Sequence, residues 1–158
     1  MIKHMTNHIL AAGAFTALAA SVCAAPAIAQ MAAPLAERTA ETDLPLEGAR
    51  AAMVLEEVTL AIAVDPATQS IQGEGQYSVA LQEASDSLVF DLDPRFAIRG
   101  VTVNGQSLAT SAYSNPDGLL TISLPQTAGA NSELDVRIAY AGTPHVALNA
   151  PWEGGFVW

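Results

Sequence analysis

Paired carboxylates are the first chemistry to look for in this sequence, which carries 16 Asp+Glu among 158 residues. Glycoside hydrolysis needs two carboxyl groups about 5–10 Å apart across a cleft. Asp91 and Asp93 stand two apart in an extended-looking run, a spacing that falls in that range. Glu56-Glu57 and Asp86 are further candidates. Against this, Asp91-Leu92-Asp93-Pro94 also reads as the end of a strand entering a turn, where solvated acids are far commoner than tuned ones. Zinc hydrolysis commonly needs two histidines one helical turn apart with a glutamate base, and no His-Glu-x-x-His occurs. His145 follows Pro144 and reads as a loop histidine without ligand partners. There is no Gly-x-Ser-x-Gly elbow for a serine nucleophile. Gly73-Glu74-Gly75 has neither the lysine nor the following helix of a phosphate loop, and glycines within a strand more often mark a bulge or close packing. The single cysteine, Cys23, allows no internal disulfide and no thiolate zinc cluster. No catalytic, substrate-binding or metal-ligating residue is therefore assigned. Trp152, Phe156 and Trp158 are the remaining feature: a stacking platform for sugar rings, or a seam against a further domain. The seam is preferred, because clustered apolar side chains usually mark interfaces.

The elements that must position these residues begin after an expected export signal. Residues 1–29 combine Lys3, an apolar and alanine-rich run over 9–22, and Ala27-Ile28-Ala29 before Gln30, which fits cleavage of a secretory signal peptide. A lipidated Cys23 is the weaker reading, since Val22 precedes it where a small residue is needed. Export to a periplasmic or extracellular location follows. No stretch argues for a permanent membrane span. Cleavage removes Lys3, leaving five arginines against sixteen acids; the full chain has a net charge of −10. Such acidity repels phosphate backbones and excludes a nucleic-acid partner. Residues 30–50, rich in Ala, Glu, Pro and Thr, read as a flexible leader, with Leu44, Leu46 and Leu55 placed to dock its end.

Residues 51–158 read as one all-β domain. Val58, Leu60, Ile62 and Val64 alternate with Thr59, Ala61 and Ala63; after the Asp65-Pro66 turn, Ile71, Gly73, Gly75, Tyr77, Val79 and Leu81 alternate again, predicting a hairpin. Leu88, Phe90 and Leu92 continue the pattern, and a slip near Gly100 predicts a bulge. Asn104-Gly105 is a strong hairpin signal, with 108–113 expected to pair back. Leu120, Ile122 and Leu124 precede Pro125, expected to close that strand, and Leu134, Val136, Ile138 and Tyr140 form the last. These seven to eight short strands predict an antiparallel β-sandwich or a curled, saddle-like sheet.

In order and spacing, residues 58–158 resemble the N-terminal β domain of aminopeptidase-N-type zinc metallopeptidases, the gluzincin aminopeptidases. The pieces are the hairpin from Val58 through Ile71-Gln72-Gly73-Glu74-Gly75, the strand Leu88-Val89-Phe90-Asp91-Leu92, and Val101-Thr102-Val103-Asn104-Gly105. Val136-Arg137-Ile138-Ala139-Tyr140-Ala141-Gly142 and Gly154-Gly155-Phe156-Val157-Trp158 complete them. The family's Gly-x-Met-Glu-Asn and His-Glu-x-x-His motifs are absent, and no functional residue carries over. The resemblance implies a truncated, non-catalytic domain of an exported zinc aminopeptidase that removes N-terminal residues from peptides. It implies that zinc and the peptide substrate belong to the parent enzyme. This domain's partner would be the catalytic domain of the same chain, on which it packs and whose cleft it walls, with Trp152, Phe156 and Trp158 as the interdomain contact. The rival is a self-standing periplasmic or secreted β-sandwich binding module that uses the same aromatics.

Overall fold

The alternating runs at 58–64, 71–81, 120–124 and 134–140 all become strands. The structure, a computed structural model, describes residues 45–150, 152 and 154–158; the expected signal peptide and most of the leader lie outside the described residues. Eight strands follow a 3-10 turn at Gly48–Arg50: β1 (Met53–Asp65), β2 (Ser70–Leu81), β3 (Ser85–Asp91), β4 (Ala97–Val103), β5 (Gln106–Ser107), β6 (Tyr113–Ser114), β7 (Leu119–Ala128) and β8 (Glu133–Gly142). They form two antiparallel sheets, one ordered β1-β2-β8-β4-β5 and one ordered β3-β7-β6, open and not closed into a barrel. Among the described residues there is no α-helix, and so none long and apolar enough to cross a membrane.

The core lies between the sheets because each contributes one apolar row. The larger sheet supplies Val79 and Leu81 from β2, Val101 and Val103 from β4, and Leu134, Val136 and Ile138 from β8. The smaller supplies Leu88 and Phe90 from β3 and Leu120 and Ile122 from β7. Each such side chain contributes roughly 1.5–3 kcal/mol on full burial.

Local chemistry sets the connections. In the β1–β2 turn the Asp65 carboxylate accepts hydrogen bonds from the Ala67 N–H at 2.9 Å and the Thr68 hydroxyl at 2.8 Å. Asn104 and Gly105 take φ values of +50° and +77°, the left-handed pair that a two-residue hairpin requires, and join Val103 to Gln106. The Asn104 side-chain oxygen also accepts the Asp135 N–H at 2.9 Å, latching the turn to β8. The expected slip near Gly100 is a register shift between Ile98 and Gly100.

Three expectations are corrected. The segment 108–113 does not pair back as a strand of its own: β5 is two residues long, a 3-10 turn follows at Thr110–Ala112, and Tyr113 crosses to pair with Ile122 in the other sheet. Pro125 does not end its strand. Pairing of β7 with β3 runs to Ser123↔Ser87 and resumes at Ala128↔Ser85, so the missing proline N–H falls in the gap, where no ladder bond is lost. The leader's end is not docked by the expected leucines: Leu46 and Leu55 stay about half exposed, Leu44 lies outside the described residues, and it is Arg50 that reaches the domain, pairing with Asp91.

Candidate functional site

The outer face of the larger sheet carries its polar row, and two shallow grooves run along it. The first, about 390 Å³, is lined by Glu57 and Thr59 of β1, Gln76 and Ser78 of β2, and Glu133 and Asp135 of β8. Direct cross-strand pairing brings these side chains together: Thr59 faces Gln76, and Ser78 faces Asp135. The second, about 740 Å³, has a floor of Ala61, Ala63, Ala139 and Ala141, with Gln72, Glu74 and Arg99 around it. Arg137 lies 4.0 Å from Glu74 and 3.9 Å from Asp135, in half-exposed pairs of the kind that contribute about 0–1 kcal/mol. Neither groove holds a buried acid–base pair.

Of the sequence-derived carboxylate candidates, Asp91, Asp93 and Asp86 line neither groove. Asp91 pairs with Arg50 at 2.7 Å, and Asp93 folds back on its own turn, accepting the Arg95 N–H at 2.9 Å with the Arg95 guanidinium at 3.3 Å. Asp86 accepts the Ser87 hydroxyl at 3.1 Å. Glu57 lines the first groove.

Among the described residues no three His, Cys, Asp or Glu side chains gather as a metal-ligand group. The one described imidazole, His145, has its Nδ1 buried without a hydrogen-bond partner, and its backbone carbonyl accepts the Phe156 N–H at 2.7 Å. These described residues do not fit a zinc site.

The C-terminal aromatics divide. Phe156 bridges Val146 and stacks on Trp158, with ring centroids 5.3 Å apart, and both rings pack against the core. The Trp158 Nε1 is buried without a hydrogen-bond partner. Trp152 stands apart, 85% exposed.

The inner face of the β1–β2 hairpin holds what sequence reasoning missed. Val58, Leu60, Ile62 and Val64 pair with Tyr77, Gly75, Gly73 and Ile71, which places them on the core side of the sheet. They nonetheless stay 47–55% exposed, whereas Ile71 is buried. Gly73 and Gly75 supply no side chain to cover them. Instead the Tyr140 ring lies over Gly73 and the Tyr77 ring over Gly75, so closely that a Cβ at either glycine would overlap it. Tyr140 packs on Phe96 and Tyr77 on Phe90, closing the core short of β1. Burial pushes the Tyr77 phenol up from its ordinary pKa, with Tyr140 adding to the shift. The paired glycines opposite an apolar strand were the available signal that this row would lack cover.

No protein-family model and no curated protein matches the sequence. The fold does match solved structures. A point mutant of the M1 zinc metallopeptidase from Deinococcus radiodurans aligns with a TM-score of 0.56 and 19% identity, over 67% of this chain and 24% of that one. The M1 zinc metallopeptidase from Deinococcus radiodurans itself aligns with a TM-score of 0.53 and 20% identity, over 63% of this chain and 22% of that one. A two-domain M1 zinc metallopeptidase mutant bound to L-arginine gives 0.54 and 18%, over 65% and 23%. This chain thus spans less than a quarter of the length of the structures it matches, and it shares the fold of that part.

Proposed function

We propose that this chain is the non-catalytic β domain of an exported zinc-dependent aminopeptidase, a scaffold that packs on a catalytic domain and walls its substrate cleft. The observation that carries the reading is the shared fold, confined to under a quarter of each zinc metallopeptidase. Zinc would polarise the scissile carbonyl and activate water in the catalytic domain. This domain's own residues would supply shape and contact. Phe156 and Trp158, anchored on the core, and the exposed Trp152 would supply apolar contact to a neighbouring domain. Cleavage of the expected export signal at 1–29 would put the enzyme in the periplasm or outside the cell.

Reading the coding DNA beyond codon 158 tests this directly. Gly-x-Met-Glu-Asn and His-Glu-x-x-His motifs in the same frame are expected. A stop codon there, with neither motif, would overturn the proposal in favour of a self-standing binding module. The purified chain should release no product from a chromogenic amino-acid amide, with or without added zinc. Zinc-dependent turnover by this chain alone would contradict the non-catalytic assignment.

A further inference from the structure

The geometry points to the free edge of β1 as a self-pairing surface: two copies of this chain join edge to edge, β1 antiparallel to β1 about a two-fold axis, into one continuous ten-stranded sheet. This inference does not depend on the parent enzyme's activity.

Exposed edges are normally blunted by shortness, Lys, Pro or a bulge, because their unpaired N–H and C=O groups template another strand. Among the described residues β1 is the terminal strand of the larger sheet and 13 residues long. From Val58 to Val64 it reads Val-Thr-Leu-Ala-Ile-Ala-Val, with no charge, no Pro and no Gly. Such a run has strong β propensity and the composition of self-associating strands. Its one irregularity, between Leu55 and Glu57, lies before it. The opposite edge of the same sheet, β5, is two residues long, as is β6. β3, seven residues long, carries charge at Asp86 and Asp91.

Charge selects both the occupant and the register. Glu56 and Glu57 precede the uncharged run and Asp65 ends it, so a second copy meets the run with an equally uncharged segment. A two-fold axis at Ala61 would set Glu57 directly opposite the partner's Asp65, a destabilising like-charge pair. An axis at Leu60 sets Leu60 opposite its own copy, Val58 opposite the partner's Ile62, and Glu57 opposite the partner's Ala63. Opposed residues then share parity, so the half-exposed row of Val58, Leu60 and Ile62 continues on one face across both copies. Seven residues of strand are about 23 Å long. That makes a small interface, and small interfaces give weak, reversible association. Two chains of net charge −10 repel, so screening by salt strengthens the dimer.

Sedimentation velocity on the full chain, over a range of protein and salt concentrations, tests this. A dimer that grows with both is expected. Leu60→Lys sets two ammonium groups against each other at an exposed position, so folding, checked by circular dichroism, is retained while association falls by about tenfold or more. Trp152→Ala should leave the dimer intact. In a Cys23→Ser background, Leu60→Cys should crosslink two copies on mild oxidation and Ala61→Cys should not. A wild-type monomer at every concentration would overturn the proposal, as would a dimer that survives Leu60→Lys or crosslinks only through Ala61→Cys. Amide protection along β1 in such a monomer would assign the edge to another strand of the same chain.

Discussion

Gly73 shows how one absent side chain shapes this surface. The Tyr140 ring occupies the space a Cβ would need, so Gly73→Ala forces the ring or the strand to move. A loss of about 1–3 kcal/mol is expected, read as a lower urea midpoint. Tyr77 sits similarly over Gly75, and its phenol is held protonated by burial. Its folded pKa lies above the unfolded value, so its contribution is full below about pH 10 and is lost as pH rises through the folded pKa. Alkaline unfolding curves should show this loss in the wild type and a smaller one in Tyr77→Phe. Asp65 has the opposite sign. The Thr68 hydroxyl, then the Ala67 and Thr68 N–H groups, hold its carboxyl below the ordinary carboxylate range. Its contribution is present above about pH 4 and is lost as pH falls through the folded value, so Asp65→Asn should flatten the acid limb of a stability profile.

Among the elements, β7 has the most to lose. Leu120 and Ile122 are fully buried and face the larger sheet from the middle of the smaller one. Ile122→Ala should cost about 2–5 kcal/mol, measured by chemical denaturation. The alternation of β7 was plain in the sequence, but its continuation past Pro125 was not. Proline reads as a strand end until the register shows that no partner needs its N–H. The Asn104-Gly105 hairpin was legible for the converse reason: only residues that accept positive φ suit that turn, and both take it. β5 and β6 were not legible, because two-residue strands carry no period and depend on neighbours distant in sequence.

For the whole molecule, acidity and an edge left unpaired among the described residues act together. A chain of net charge −10 stays dispersed at low salt and associates as salt screens it, so light scattering should rise with ionic strength at fixed protein concentration. The sequence by itself determined the all-β class, the main strands, the tight turns and the lack of a local catalytic motif. Those follow from side-chain period and backbone φ preference, which act between near neighbours. Only the tertiary structure decided which apolar rows are covered. Val58, Leu60, Ile62 and Val64 alternate as regularly as Leu134, Val136, Ile138 and Tyr140, yet one row stays half exposed and the other is buried. The difference lies in sheet order, which puts β8 at the centre of the larger sheet and β1 at its edge. Only the fold, likewise, brought Arg50 to Asp91, 41 positions further along the chain. Burial and pairing of this kind come from contacts between segments far apart in the chain, and no local pattern encodes them.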